Sequence, residues 1–140
     1  MAKFLIDLNV EKYNDSVMSL QVKSGNQTLY SSTNPDQHVV IEFESQLPAT
    51  ISLRVKGKIF NETLVDSSGQ ILQDKHIKIN RVAIDNMPVE KWVLEKKLIK
   101  FCPDIGDPRY TNYFGSNGVG YLNINFNNSF KYFLHLLQKD

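Results

Sequence analysis

The densest set of side chains suited to ligand contact lies in one irregular segment, Tyr110–Gly118. It brings three aromatic rings and two amides together, from Tyr110, Asn112, Tyr113, Phe114 and Asn117. Sugar rings present apolar C–H faces edged by hydroxyl groups, so aromatic rings with neighbouring amides suit carbohydrate binding. Exposed rings on a loop suit a protein partner equally well, whereas rings folded inward would close one end of a core. Trp92 carries the same alternatives.

Carboxylates near this segment offer a candidate calcium site, since calcium takes about six to eight oxygen ligands. Asp104 and Asp107 are the predicted ligands, with the amide of Asn112 close by in the sequence. A second candidate is Asp66–Asp74, which has an acidic residue at each end. That segment lacks the further carboxylates of an EF-hand, which favours a hairpin connection in which Gly69 adopts positive φ.

Catalytic motifs do not accompany these residues. The three histidines have no Gly-x-Ser-x-Gly motif or reactive-cysteine signature beside them. Cys102, between a phenylalanine and a proline, has the surroundings of a small apolar core residue. Walker, dinucleotide-binding and His-Glu-x-x-His motifs are absent as well. The sequence therefore predicts a protein that is not an enzyme.

The composition excludes several classes of function. Sixteen Lys and Arg residues balance fifteen Asp and Glu residues, for a formal net charge of +1, so no overall field attracts nucleic acid. A single cysteine excludes an intramolecular disulfide and a cysteine-rich zinc site. No apolar run approaches the roughly 20 residues of a membrane helix, and residues 1–10 lack the order of a signal peptide. We therefore expect a soluble protein without nucleic acid or membrane as its partner.

The elements that must position these residues are β-strands. Apolar and polar residues alternate with a period of two, which is typical of strands with one buried face. The alternating runs begin near Phe4, Met18, Val39, Ile51 and Ile77, and the last one spans 119–126. Turn signals separate the runs, which predicts about eight strands in an antiparallel β-sandwich or jelly roll. The chain is long enough for one domain, residues 1–140.

Several places depart from simple alternation. A one-residue slip at Asn80-Arg81, and a similar one near Gly120-Tyr121, each predict a β-bulge. The segment Trp92–Phe101 fits either a bent strand or a short helix. At the C-terminus, apolar residues recur at helical spacing after a candidate N-cap, Asn128 or Ser129, although a buried last strand fits equally well. The residues at helical spacing are Phe130, Phe133, Leu134 and Leu137.

Two motifs carry a resemblance to a known group of proteins. In Gly57–Ile79 a predicted strand runs into a D-x-x-G-x-I-x-x-D connection and then an I-x-I strand, and Asn112–Gly118 precedes a Leu-x-Ile-x-Phe strand. This arrangement, over about residues 50–130, resembles modules encoded by marine bacteriophages. Such modules are similar to calcium-dependent, xylan-binding carbohydrate-binding domains, and many belong to virion structural proteins.

The resemblance implies a non-catalytic jelly-roll module that serves in the virion as a structural or adhesion component. Its partners would be other virion proteins, further copies of itself or a polysaccharide, and calcium would be the candidate cofactor. Trp92 and the Tyr110–Gly118 loop would supply the contacts. The alternative is a purely structural capsid or tail protein that binds no glycan and docks on neighbouring subunits through edge strands and its apolar C-terminus.

Overall fold

The period-two runs of the sequence form β-strands in the computed structural model of the protein, which describes residues 1–11, 18–57, 63–65, 67–68 and 71–138. In chain order the strands are β1 (Ala2–Glu11), β2 (Ser19–Ser24), β3 (Gln27–Ser32), β4 (His38–Ser45), β5 (Ala49–Lys56), β6 (Thr63–Val65), β7 (Ile71–Asp74), β8 (His76–Ile84), β9 (Met87–Pro88), β10 (Lys100–Pro103), β11 (Arg109–Tyr110), β12 (Tyr113–Phe114) and β13 (Gly118–Ile124). The helical elements are α1 (Lys91–Val93), a π-helical turn at Leu94–Leu98, and α2 (Ser129–Leu137).

Two antiparallel sheets confirm the predicted β-sandwich. Sheet A has the strand order β12-β8-β1-β4, with β9 beside β8, and sheet B has the order β11-β10-β13-β5-β2-β3. Strands β6 and β7 pair with each other in a separate hairpin. The inward side chains of both sheets form a hydrophobic core. Removing this apolar surface from water is the dominant favourable term in folding.

The predicted slip at Asn80-Arg81 is confirmed as a β-bulge. Where β1 pairs with β8, Asp7 faces Arg81 while Leu8 faces Ile79, so Asn80 is the extra residue. The bulge returns the apolar residues on both sides of it to the inner face of sheet A. These fully buried residues are Ile77, Ile79, Val82 and Ile84.

The slip predicted near Gly120-Tyr121 is wrong, because β13 pairs with β5 in unbroken register. Gly118 and Gly120 occupy inward positions of β13, and aromatic rings fill the space that their missing side chains leave. Phe101 from sheet B and Phe114 from sheet A stack there, with ring centroids 4.6 Å apart and 9° between the ring planes. A Cβ atom on Gly120 would lie 2.5 Å from Cζ of Phe114. One on Gly118 would lie 2.5 Å from the Cys102 carbonyl oxygen and 2.9 Å from Cζ of Phe101.

The segment Trp92–Phe101 contains both of the structures that its pattern fits. A helical stretch, α1 and the π-helical turn, runs to Leu98, and the strand β10 begins at Lys100. Val93, Leu94 and Leu98 point into the core. The segment thereby connects β9 of sheet A to β10 of sheet B.

The C-terminal segment forms a helix, α2, and not a last strand. Asn128 is its N-cap, and the side-chain oxygen accepts a hydrogen bond from the Lys131 backbone N–H at 3.2 Å. This bond satisfies one of the first N–H groups of the helix, which lack partners within it. None of the described helices has the length and apolar character that crossing a membrane requires.

The buried side of α2 differs from the one that its spacing predicts. Tyr132 and Leu136 are buried, whereas Phe130, Leu134 and Leu137 are 62%, 51% and 48% exposed. Of the predicted set, Phe133 packs partly buried against the core. The helix is thus rotated about its axis relative to the prediction, and contacts at both of its ends hold it in this orientation. The Ser129 hydroxyl donates to Asp85 at 2.6 Å, and Nζ of Lys97 donates to the carbonyl oxygens of His135 and Gln138.

Asp85 joins three elements of the fold. It opens the Asp85–Asn86 turn between β8 and β9, where φ is 52° and 65°, the positive values that a type I′ turn requires. Its carboxylate accepts from the Lys3 backbone N–H at 2.8 Å as well as from the Ser129 hydroxyl. The Ser129 bond, followed by the Lys3 bond, holds the pKa of Asp85 below its usual value.

Replacing Gly120 with alanine tests the packing of the two rings. We expect Gly120→Ala to lower the free energy of unfolding by about 1–3 kcal/mol, because the added methyl group collides with Phe114. Urea unfolding measures this loss. Phe114→Leu removes the colliding ring atoms, so Gly120→Ala should lower the free energy of unfolding much less in the Phe114→Leu background. An alanine penalty that is equal in both backgrounds would contradict this packing.

Replacing Asp85 with asparagine tests the charge at the β8–β9 turn. Asparagine tolerates positive φ, so the variant should lose about 1 kcal/mol at pH 7 through its weaker, partly solvent-screened hydrogen bonds. Because the folded pKa of Asp85 lies below the unfolded value of about 3.9, its stabilisation is complete above that value and is lost as the pH falls through the folded pKa. Urea unfolding of both proteins should show the difference closing between about pH 5 and pH 2. A difference that stays constant over this range would rule out the charge as its source.

Candidate functional site

The Tyr110–Gly118 segment, predicted as one cluster of contact residues, is divided between the two sheets. It leaves the edge of sheet B at the end of β11, pairs with β8 at the edge of sheet A through β12, and returns to sheet B as β13. Its side chains therefore lie in three environments: the outer face of each sheet and the core between them.

Phe114 belongs to the core. It is fully buried, pairs with Ile77 on the inner face of sheet A and stacks on Phe101. A ring without exposed surface cannot contact a ligand, which corrects the prediction for this residue. Tyr113, its neighbour in β12, faces the outer side of sheet A, and its ring stacks on that of His76 with centroids 4.4 Å apart.

The two asparagines of the segment hold the loop in place, Asn112 through its main chain and side chain and Asn117 through its main chain. The Asn112 carbonyl oxygen accepts from the Ile79 N–H at 2.8 Å, and its side-chain Nδ2 donates to the Ile79 carbonyl oxygen at 2.9 Å. Asn112 thus extends the pairing along β8 beside the bulge. The Asn117 carbonyl oxygen accepts from the Asp104 N–H at 2.9 Å, which ties the loop to the turn after β10.

A row of side chains crosses the outer face of sheet B, and we call it the tyrosine row. It runs over five neighbouring strands through Tyr110, Lys100, Tyr121, Ser52 and Lys23. Directly opposite residues of antiparallel strands lie on the same face. Tyr110 is 52% exposed and Tyr121 is 40% exposed. Since adjacent strands lie about 4.8 Å apart, the backbones that carry the two tyrosines are about 10 Å apart, with Lys100 between them.

Polar side chains flank the tyrosine row along the strands. On one side, Asn123 of β13 pairs with Thr50 of β5, whose hydroxyl donates to Oδ1 of Asn123 at 3.1 Å. On the other side, Arg54 of β5 pairs with Gln21 of β2. The face therefore offers hydroxyl, amide and guanidinium groups next to two exposed phenol rings.

The described surroundings of Asp104 and Asp107 do not form a calcium site by themselves, so their role as calcium ligands stays a prediction. The Asp104 carboxylate lies 3.3 Å from Nη1 of Arg54, a cation that would repel calcium. The side-chain amide of Asn112 donates a hydrogen bond to the Ile79 carbonyl oxygen of β8. In the parts of the chain that the structure describes, no three His, Cys, Asp or Glu side chains come together as metal ligands. The other candidate, Asp66–Asp74, includes positions outside the described residues, so that site stays a prediction.

Trp92 is not a member of the tyrosine row. It is on α1, which follows β9 of sheet A, and its side chain is partly exposed. Its proposed role as a contact residue stays a prediction. Of the tyrosine row, the sequence-based prediction named Tyr110 and missed Lys100, Ser52, Lys23 and the second exposed ring, Tyr121. The signal for Tyr121 is its position between Gly120 and Leu122. Once Gly120 is counted as an inward residue of the strand, the alternation places the Tyr121 side chain on the outer face.

Each of the three histidines contacts an acidic or an aromatic side chain. His38 Nε2 lies 2.7 Å from Oδ1 of Asp7 on the outer face of sheet A. His76 stacks on a tyrosine ring, and the ring of His135 lies 5.3 Å from that of Phe126. A catalytic triad needs a serine or cysteine beside its histidine, so these described contacts do not form one.

A groove of about 450 Å³ lies on the outer face of sheet A, away from the tyrosine row. Leu5 and Ala83 contribute apolar surface to it. Its charged lining contains both signs, with Lys3 and Arg81 as cations and two acidic residues of β4, Glu42 and Glu44. The outer face of sheet A thus combines a groove with charges of both signs.

Comparison with known proteins agrees with the fold. No protein-family model and no curated protein matches the chain. Among solved structures it is similar to the selenomethionine form of vCBM60, one of the calcium-dependent carbohydrate-binding modules, with a TM-score of 0.54 and 6% identity over 88% of this chain and 91% of that one. A structure of vCBM60 with galactobiose gives a TM-score of 0.49 and 9% identity over 86% of this chain and 97% of that one. The first similarity establishes a β-sandwich of the carbohydrate-binding-module type. It supports the resemblance to carbohydrate-binding domains that the sequence shows, as far as the fold is concerned.

Proposed function

We propose that the protein is a non-catalytic carbohydrate-binding module whose contact surface is the tyrosine row. The observation that carries this proposal is the pair of exposed tyrosines on β11 and β13, which flank Lys100 on one face of sheet B. Strands hold all three side chains, so little backbone freedom is lost when a ligand binds. The likeness of the fold to a carbohydrate-binding module supports the same function.

The chemistry of the row suits an extended sugar chain. Each phenol ring offers a flat apolar face to the C–H face of a sugar ring. Ser52, Thr50 and Asn123 supply groups that exchange hydrogen bonds with sugar hydroxyls, as the few polar groups of a binding site do. Two rings at a separation of about two strand spacings contact different sugars of one chain, which favours a polysaccharide over a monosaccharide.

The sequence resemblance over residues 50–130 supports a finer proposal, that the module serves on a virion as an adhesion component. Many copies would then face the same polymer at once. Weak binding by each copy would add up, since every further contact becomes intramolecular.

Alanine variants of the two tyrosines test the contact surface. Each of Tyr110→Ala and Tyr121→Ala should weaken binding to a retained polysaccharide about tenfold, and the double variant should lose it, because stacking contact disappears. Native affinity electrophoresis across a panel of neutral and acidic polysaccharides measures the binding.

Tyr113→Ala is the matched control, since it removes a tyrosine from the outer face of sheet A. The control should keep wild-type binding, and thermal unfolding of all variants should show that they remain folded. Loss of binding in the control but not in the double variant would place the contact on the other sheet. Absence of binding to every polymer in the panel would refute the proposed function.

A second candidate function, assembly with further copies of the chain, is favoured by α2. Phe130, Leu134 and Leu137 are exposed at i, i+4 and i+7 spacing, so they form an apolar stripe along one side of the helix. The helix contains no acidic residue. An uncharged stripe can pack on the same stripe of a second copy about a two-fold axis.

Charged substitutions in the stripe test this second candidate. If α2 carries self-association, the mass of the wild type should rise with protein concentration in size-exclusion light scattering, and Leu134→Lys should return it to the monomer value. Val40→Lys, a change at an exposed apolar residue of β4, is the control and should leave the association unchanged. A wild type that stays monomeric at every concentration would exclude the candidate.

A further inference from the structure

We propose that the polysaccharide bound by the tyrosine row is acidic, carrying carboxylate or sulfate groups. This inference rests on the proposed function and names the class of polymer that the same site takes. It follows from how charge is distributed between the two outer faces of the sandwich.

The outer face of sheet B is positively charged. Its outward positions carry four cationic side chains and, across the described strands of this sheet, no aspartate or glutamate. The cations are Lys23, Arg54, Lys56 and Lys100. Asp104, in the turn after β10, forms an ion pair with Arg54 of this set. Three ammonium groups of the face remain without an ion pair among the described residues.

This excess of positive charge is local. The whole chain has a formal net charge of only +1. The outer face of sheet A carries Asp7, Glu42 and Glu44 together with its cations. Because charges of opposite sign cancel there and not on sheet B, an anionic polymer is attracted to the tyrosine row.

Lys100 has the central position for recognising an anion. It stands between Tyr110 and Tyr121, one strand away from each. A lysine ammonium is a compact charge with three donors on a flexible stem. It can therefore meet an acidic substituent of a sugar stacked on either ring. Hydrogen bonds between charged partners are about twice as strong as neutral ones.

A single-stranded nucleic acid also binds rings and cations, but the surface favours a polysaccharide. Binding sites for single-stranded nucleic acid provide aromatic rings on which successive bases stack, whereas here Lys100 separates the two tyrosine rings. Hydroxyl and amide side chains surround the row, at Ser52, Thr50 and Asn123, and match the hydroxyl groups of sugars. We therefore argue for the polysaccharide and make the nucleic acid one arm of the test.

The test compares polymers that differ in charge, using the full chain. Polygalacturonate supplies carboxylates, dextran sulfate supplies sulfates, neutral galactan and dextran lack both, and oligo(dT) represents single-stranded nucleic acid. We expect at least one acidic polymer to bind about tenfold more tightly than its neutral counterpart at low salt, and added salt to reduce that preference. The preferred acidic polymer identifies the anionic group.

Neutralising single lysines locates the charge. Lys100→Gln should remove most of the preference for the acidic polymer over its neutral counterpart, and a preference that stays at the wild-type level would contradict the role of this charge. Lys78→Gln is the matched control, because Lys78 is exposed on the outer face of sheet A. It should behave as the wild type.

Each other outcome refutes a defined part of the proposal. Equal affinity for neutral and acidic polymers would overturn the acidic ligand and leave the proposed function standing. Tighter binding to oligo(dT) than to either acidic polymer would replace the polysaccharide with nucleic acid. Binding to none of the polymers would overturn both proposals together.

Discussion

The stack of Phe101 on Phe114 is the contact on which the rest of the arrangement depends. The two rings come from different sheets and meet over two glycines of β13, where any side chain would collide with them. The stack therefore fixes the crossing of the chain from sheet B to sheet A and back. Because side chains alternate along a strand, burying Phe114 turns Tyr113 to the outer face of sheet A. Tyr110, which precedes the crossing, stays on the outer face of sheet B.

The fold presents three surfaces of different chemistry. The outer face of sheet B carries the tyrosine row with an excess of cations, which suits an acidic sugar polymer. The outer face of sheet A carries a groove with charges of both signs. The helix α2 adds an apolar stripe that suits a protein surface. A module with separate surfaces for a polymer and for a neighbouring subunit would combine adhesion with assembly.

The sequence predicts those features that apolar side chains mark and misses those that depend on glycine or on distant contacts. The bulge at Asn80 is predictable because apolar residues on both sides of it reveal the change of face. Gly120 hides the direction of its strand, so a pattern of apolar residues predicts neither the unbroken register nor the exposed position of Tyr121. For Phe114 the sequence leaves burial as one of several alternatives, and the structure selects it. The pattern does not predict the orientation of α2 either, because that orientation depends on contacts with residues far away in the chain.

The most direct test of the central claim, that the ligand lies on one face of sheet B, is an NMR titration of the ¹⁵N-labelled protein with oligogalacturonate. We predict amide shift changes centred on Lys100, Tyr110 and Tyr121 and extending to Ser52, with the amides of β12 and of the outer face of sheet A unchanged. Shift changes centred on Tyr113 and the groove of sheet A would contradict it.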